Sequence, residues 1–341
     1  MDTTLILVVI IVAVAVSFDF INGFHDAANS IATVVATRVL PPLWAVVWAA
    51  SFNFIAAFLA GTGVAKMVGN GMVDLHYVTP YVILAALIGA IAWDLITWWW
   101  GLPSSSSHAL LGGYAGAAMS HVAYLRGFSS SFGALIATGW TKTLISIVLA
   151  PLLGLILAYF LMVLVYWLFQ NVTPKKMDSW FRVLQLGSSA ALSFSHGAND
   201  AQKTAGIITG VLVTSGMLSH FEIPTWVLLM AYLAIAAGTL SGGWRIVHTM
   251  GGRLTRLKPR SGFCAETAGA LSILFATHLN VPVSTTHVIA GSIAGVGSIQ
   301  RLKAVRWGLA ANIVWAWVLT IPAAGIVGWL SMMAIHGLLG K

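Results

Sequence analysis

Charge is what this sequence has least of. Only 8% of its 341 residues are Asp, Glu, Lys or Arg, where an ordinary soluble domain carries about a quarter. So few charges cannot clothe a water-facing surface, and a hydrophobic share of 59% points the same way. Cysteine is almost missing as well: with Cys264 alone, neither an internal disulfide nor a thiolate metal cage can form. The sequence also lacks a G-x-S-x-G nucleophile elbow and an H-E-x-x-H zinc motif, which removes the local signatures of two hydrolase classes.

What is present is a series of long apolar runs: Leu5 to Val16, Ala45 to Ala60, Ile145 to Phe169, Trp226 to Ala237 and Leu309 to Met333. Several are long enough to cross about 30 Å of hydrocarbon as helices. The expectation is an all-α, polytopic integral membrane protein without room for a soluble domain. The apolar N-terminus opens with Asp2 and has neither a basic n-region nor a small-residue cleavage site, so it reads as a retained first helix.

The formal net charge of +8 is concentrated in short connections. Lys175, Lys176 and Arg182 form one cluster, Arg253, Arg256, Lys258 and Arg260 a second, and Arg301, Lys303 and Arg306 a third. The positive-inside rule places all three, with Arg38, on the cytoplasmic side of the cell (inner) membrane. Connections around Lys66, Arg126 and Glu222 then lie outside, as do both termini. On that path two segments enter and leave on one side: Tyr77 to Met119 from outside and Gly262 to Ile299 from inside. Charge placement alone does not separate a pair of short spans from a hairpin that turns within the membrane.

Each of these segments carries the same motif. "GLPSSSSHALLGGYAG" from Gly101 aligns without gaps on "NVPVSTTHVIAGSIAG" from Asn280, matching Pro103 with Pro282, Ser105 with Ser284 and His108 with His287, an offset of 179 (287 minus 108). "FDFINGFHDAANS" from Phe18 likewise matches "LSFSHGANDAQKT" from Leu192, setting Asp26 on Asp200, an offset of 174 (200 minus 26). The chain reads as a duplication. Because the paired segments open from opposite sides, residues 1–170 and 171–341 are expected to be inverted repeats, with hairpins at about 77–120 and 262–300, the plan of many secondary transporters.

Asp19, Asn22, Asp26 and Asn29 are spaced by 3, 4 and 3 residues, one polar stripe if the segment is helical, and Ser193, His196, Asp200 and Lys203 repeat it. Ionisable groups inside apolar spans are costly and normally face a pathway or a partner. The plainer alternative is a structural Asp–Lys pair joining two helices. In the proline-hydroxyl motifs, helices should restart near Ser106 and Thr285 with free backbone N–H groups. Helix N-termini bind oxyanions. Two of them, lined by Ser105, Ser106, Ser107, Ser284, Thr285 and Thr286, suit a tetrahedral anion that must also be released.

At "GFHDAANS", "HGANDAQK", "GLPSSSSH" and "PVSTTH" the sequence resembles the inorganic phosphate transporter (PiT) family, especially its bacterial low-affinity branch, over essentially the full chain. The resemblance implies an inverted-repeat transporter with broken helices and two re-entrant hairpins, a phosphate site at their tips, and commonly a homodimer. By position it implies Asp26, Asn29, Asn199 and Asp200 as signature residues near coupling cations, with sodium at Asp26, Asn29 and Asn199 where sodium is used. Ser105 to Ser107 and Ser284 to Thr286 become phosphate ligands, joined by Asp26, Asn29, Asp200 and Lys203, and Glu266 resembles a family acidic position. The coupling-ion set is then Asn22, Asp26, Asn29, His196, Asn199, Asp200 and Glu266. The chain departs from the family at His25, where many members have Asn, and at Gln202 and Lys203, where sodium-coupled members have a small residue and Asn. These departures bear on the coupling ion and leave the fold untouched.

The reading favoured is a plasma-membrane phosphate symporter, proton-coupled, with Asp200, His196 and Lys203 handling the proton, its cargo phosphate or a metal–phosphate complex. Sodium coupling is the runner-up and sulfate the rival anion. An intramembrane hydrolase and a channel are the alternatives from other classes. No cofactor is expected beyond the coupling cation, proton or sodium, and no nucleic acid partner.

Overall fold

The computed structural model describes residues 3–300 and 304–339, so Asp2, Arg301 and Lys303 of the sequence reading lie outside the described residues. In chain order the helices are α1 (Thr3–His25), α2 (Ala27–Ala36), α3 (Pro42–Ile55), α4 (Gly63–Asn70), α5 (Pro80–Trp100), α6 (Ser106–Arg126) and α7 (Ala137–Leu168). There follow α8 (Pro174–Thr214), α9 (Thr225–Ser241), α10 (Trp244–Val247), α11 (Pro259–His278), α12 (Thr285–Gln300) and α13 (Trp307–Leu339). Among the described residues there is no strand, only an isolated bridge between Val73 and Leu135.

Among the described residues four helical stretches are long and apolar enough to cross a bilayer: Thr4–Ala36, Pro80–Trp100, Ala137–Leu168 and Trp307–Leu339. Two more qualify as bent pairs, α3 turning into α4 by 85° and α9 into the segment Trp244–Arg253 by 65°. α7 shows the pattern of a lipid-facing helix. It buries one stripe of mostly small residues, including Gly139, Thr143, Ser146, Gly154 and Ala158, and leaves Leu149, Leu152, Ile156 and Phe160 exposed. In water that outer face would be a liability, whereas in hydrocarbon it costs nothing. The polar residues are instead gathered inside, where Asp19, Asp26, Asp94, Asp200, Lys203 and Glu266 are all buried.

The two proline-hydroxyl segments are helical hairpins built by the same local chemistry. α5 ends at Gly101 in the left-handed region (φ 64°), and α11 is followed by Asn280 in the same region (φ 58°), the residue type after glycine best suited to it. In each, the next N–H reaches back five residues, Leu102 to Thr97 and Val281 to Ala276, at 2.9 and 3.0 Å. Both arms are thus closed by a Schellman cap, whose bonds satisfy carbonyls that the helix end would otherwise orphan. Pro103 and Pro282 keep the chain extended, and the return helices α6 and α12 begin at Ser106 and Thr285, where the sequence placed them. Ser105 and Ser284 cap them, accepting from the N–H of His108 and of His287, each at 3.2 Å.

The return helices pack across the chain: α6 lies on α13 and α12 on α7. Gly112 meets the Ile321 carbonyl and Gly291 the Pro151 carbonyl, contacts closer than any side chain would permit. Their partners carry a further matched pair that the sequence reading missed, Pro151-Leu-Leu-Gly154 and Pro322-Ala-Ala-Gly325, 171 residues apart (322 minus 151). Long-range packing of this kind brings the two hairpin tips to one place.

Candidate functional site

The two Asp-bearing segments cross at the centre of the protein in different states. α8 runs unbroken for 41 residues through Asp200. The first copy breaks: α1 stops at His25, and the Asn29 N–H bonds the Asp26 carbonyl at 2.9 Å, a turn tighter than the α-helix. Asp26 sits at the break with its carboxylate turned to both hairpins.

There the tips converge. Ser106 of the first hairpin and Thr286 of the second both donate to Asp26, at 3.3 and 3.4 Å. Thr285 donates to Asp200 at 3.1 Å, and the Asn29 amide donates to the Thr285 and Thr286 hydroxyls at 3.1 and 2.9 Å. Lys203 is held by three oxygens from three elements: the Asp200 carboxylate and the Ser107 hydroxyl, each at 2.5 Å, and the Val283 carbonyl at 2.8 Å. The Asp200–Lys203 pair lies within α8 and so is not the helix-joining Asp–Lys pair considered from sequence; Lys203 reaches the two hairpin tips through Ser107 and Val283. His196 completes the centre, its Nε2 3.3 Å from Asp200. One ligand atom from each of Asp26, His196 and Asp200 lies within 4.8 Å of the others, and two carboxylate oxygens with an imidazole nitrogen are a donor set that can hold a cation.

Other candidates fall beside this centre. The hydroxyls of Ser105 and Ser284 cap helices, as described above. Asn199 pins the second hairpin, donating to Thr277 at 2.8 Å and accepting from the Val283 N–H at 3.3 Å. Glu266 accepts from Thr33 at 2.6 Å, Gln185 at 2.8 Å and Ser188 at 2.5 Å, a separate knot that ties α2 and α8 to α11. Asn22 reaches only Asp19, at 3.4 Å, and Asp19 accepts from Thr204 at 2.9 Å. Ser193 bonds back to its own helix at Ser189. Gln202, one of the two departures in the second signature, faces away from the site and accepts from the Val64 and Ala65 N–H groups at the start of α4.

Asp94 escaped the sequence reading. It is buried on α5 beside the Ser106 hydroxyl, close enough to His25 and Asp26 to interact with both. His25 in turn contacts Asp26 at 2.7 Å and Thr97 at 3.0 Å. The signal was available: Asp94 is the single charged residue in the apolar run from Pro80 to Trp100. Counting it, the interior holds the buried aspartates Asp19, Asp26, Asp94 and Asp200 and the buried Lys203, which bonds Asp200.

A scan against family models matches residues 22–328 to the phosphate transporter family. The chain belongs to this family. It is 54% identical over 337 residues to a Rhizobium meliloti (strain 1021) protein named "Probable low-affinity inorganic phosphate transporter", covering 98% of both chains. A Bacillus subtilis (strain 168) protein of the same name is 42% identical over 339 residues, with 98% of this chain and 99% of the relative covered. Among solved structures, that of a protein described as "The sodium-dependent phosphate transporter" superposes with a TM-score of 0.87 at 24% identity, covering 97% of this chain and 99% of the other. At that identity the likeness establishes the fold. Family membership makes the chain a multi-pass membrane transport protein and sets the hydrolase reading aside, since the relatives are named for transport.

Proposed function

We propose that this protein imports inorganic phosphate by proton-coupled symport, with the anion held between the hairpin tips. Its ligands would be the hydroxyls of Ser106, Ser107, Thr285 and Thr286, the N–H groups at the starts of α6 and α12, and the Lys203 ammonium. The hydroxyls of Ser106, Thr285 and Thr286 now donate to Asp26 and Asp200, so an arriving phosphate would offer them its own oxygens instead, while its remaining O–H could donate to a carboxylate. Sulfate has no proton to give there, which favours phosphate. The names of the relatives agree with that choice.

The observation that carries proton coupling is the seat of Lys203. A carboxylate, a hydroxyl and a backbone carbonyl make the kind of oxygen cage that would otherwise take a monovalent cation, and a permanently attached ammonium fills it. A resident ammonium is not a co-transported ion. Bringing a dianion next to Asp26 and Asp200 in a low dielectric still requires a mobile positive charge, which falls to a proton on Asp200 or His196. Sodium coupling is the second reading, and a specific atom favours it: the buried Asn29 Oδ1 has no hydrogen-bond donor and stands beside Asp26 as a neutral oxygen ligand. A metal–phosphate cargo would draw on the Asp26, His196 and Asp200 donor set.

The inverted-repeat reading of residues 1–170 and 171–341, with both termini outside, belongs to the same proposal. Matched Schellman caps, matched N-caps and the crossed packing of α6 and α12 support it. Uptake of labelled phosphate into proteoliposomes tests the substrate: unlabelled phosphate and arsenate should compete and sulfate should not, and full competition by sulfate would overturn the assignment. For topology, single cysteines at the exposed positions Arg126 and Arg306 in a Cys264→Ala background should react with impermeant maleimide from opposite faces. Reaction of both from one face would sink the inverted arrangement.

A further inference from the structure

His196 has two ring nitrogens, and its surroundings decide which of them faces the charged centre. Asn53, fully buried on α3, lies against α8 because Gly197 has no side chain; a Cβ there would meet the Asn53 backbone carbonyl. The Asn53 amide is oriented from behind by Thr239 on α9. Thr239 has one hydroxyl proton, and a backbone carbonyl takes it, with Ile235 at 2.9 Å and Gly23 at 3.3 Å. Its oxygen is left as an acceptor, so the Asn53 group 2.9 Å away must be the NH₂. The Asn53 oxygen is then turned to His196 Nδ1, at 3.2 Å, and an acceptor in that position requires Nδ1 to carry a proton. Nε2 is left facing Asp200 Oδ2 at 3.3 Å.

We propose that Asn53 is a positioning residue for transport: backed by Thr239, it fixes the Nδ1–H tautomer of His196 so that Nε2 is the nitrogen presented to the coupling cation among Asp26, His196 and Asp200. The proposal rests on the assignment of His196 to coupling made above. A bare nitrogen lone pair opposite a carboxylate oxygen is repulsive until something positive sits between them, so the fixed tautomer prepares the site to receive a cation. Without the Asn53 acceptor the ring could present either nitrogen, and part of the population would close the site with an N–H to Asp200. The device serves the second stripe only, with Asn53 supplied from the first half. The residue aligned with His196 is Asn22 (196 minus 22 is 174), and its carbonyl oxygen has no donor behind or before it.

Asn53→Leu keeps the shape and removes the acceptor. Phosphate uptake in proteoliposomes is expected to fall by about 10- to 100-fold, the usual range for losing the group that orients a functional histidine. With ¹⁵N-histidine protein in lipid nanodiscs, the His196 ring signals should change from a single Nδ1–H form to a mixture. Asn53→Asp restores the acceptor and should recover most of the uptake together with the single tautomer, and Thr239→Val should give a smaller loss with partial mixing. Wild-type uptake by Asn53→Leu, or lost uptake with the tautomer unchanged, would overturn the proposal. Should Asn53→Leu fail to insert, Thr239→Val decides, and an unmixed tautomer there overturns it equally. His196→Gln separates the two levels: normal uptake by that variant removes His196 from coupling, whereas an inactive His196→Gln beside a fully active Asn53→Leu removes only Asn53.

Discussion

At Asp26 the helix breaks, and the next polar position, Asn29, offers a neutral amide to the two threonines of the second hairpin. At Asp200, the aligned position, the helix runs through, and the residue matching Asn29 is Lys203, whose ammonium joins Asp200 to both hairpin tips. The scaffold around the two sites is matched to the level of caps and backbone dihedrals. The chemistry at their centres is not. One segment sets a neutral amide beside its aspartate and the other an ammonium, so matched surroundings hold two different chemistries.

The harshest way to break this comparison is to neutralise each aspartate. Asp26→Asn and Asp200→Asn should both abolish uptake, but only Asp200→Asn strands a buried ammonium, and that should cost about 3–5 kcal/mol of stability in addition. Equal thermal stability of the two purified variants would mean that the Lys203 pair contributes nothing. A milder test compares hydroxyls that look alike in sequence. Thr286, bonded to Asp26 and Asn29, should when changed to Ala chiefly raise the phosphate KM of uptake, as loss of a ground-state contact does. Ser105→Ala removes a helix cap instead, so it should lower stability by about 1 kcal/mol with a smaller change in KM. If Ser105→Ala raises KM as much as Thr286→Ala does, the division between ligand and cap is wrong.

Much of this is legible in the sequence alone. Composition and apolar runs gave the helical membrane class, and the two alignments placed both hairpins and the restarts at Ser106 and Thr285. What stayed hidden depends on distance between segments remote in sequence. Nothing local distinguishes Ser105 from Ser107, yet the first turns back to cap its own helix and the second reaches a lysine 96 residues away (203 minus 107). Glu266 and Asn199 enter the coupling-ion set only through the family resemblance, and their partners on α2, α8 and the second tip draw them into neighbouring knots. The break at Asp26 is unreadable for a different reason: the first signature has no proline, and its match around Asp200, with glycine and asparagine of its own, runs on as helix.

The identity of the driving ion bears most directly on how transport is powered. In sodium-free proteoliposomes an inward proton gradient should drive phosphate accumulation in the wild-type protein, and Lys203→Asn, which gives the second half the residue of the first, should weaken that response. Accumulation that requires an inward sodium gradient and ignores pH would contradict it.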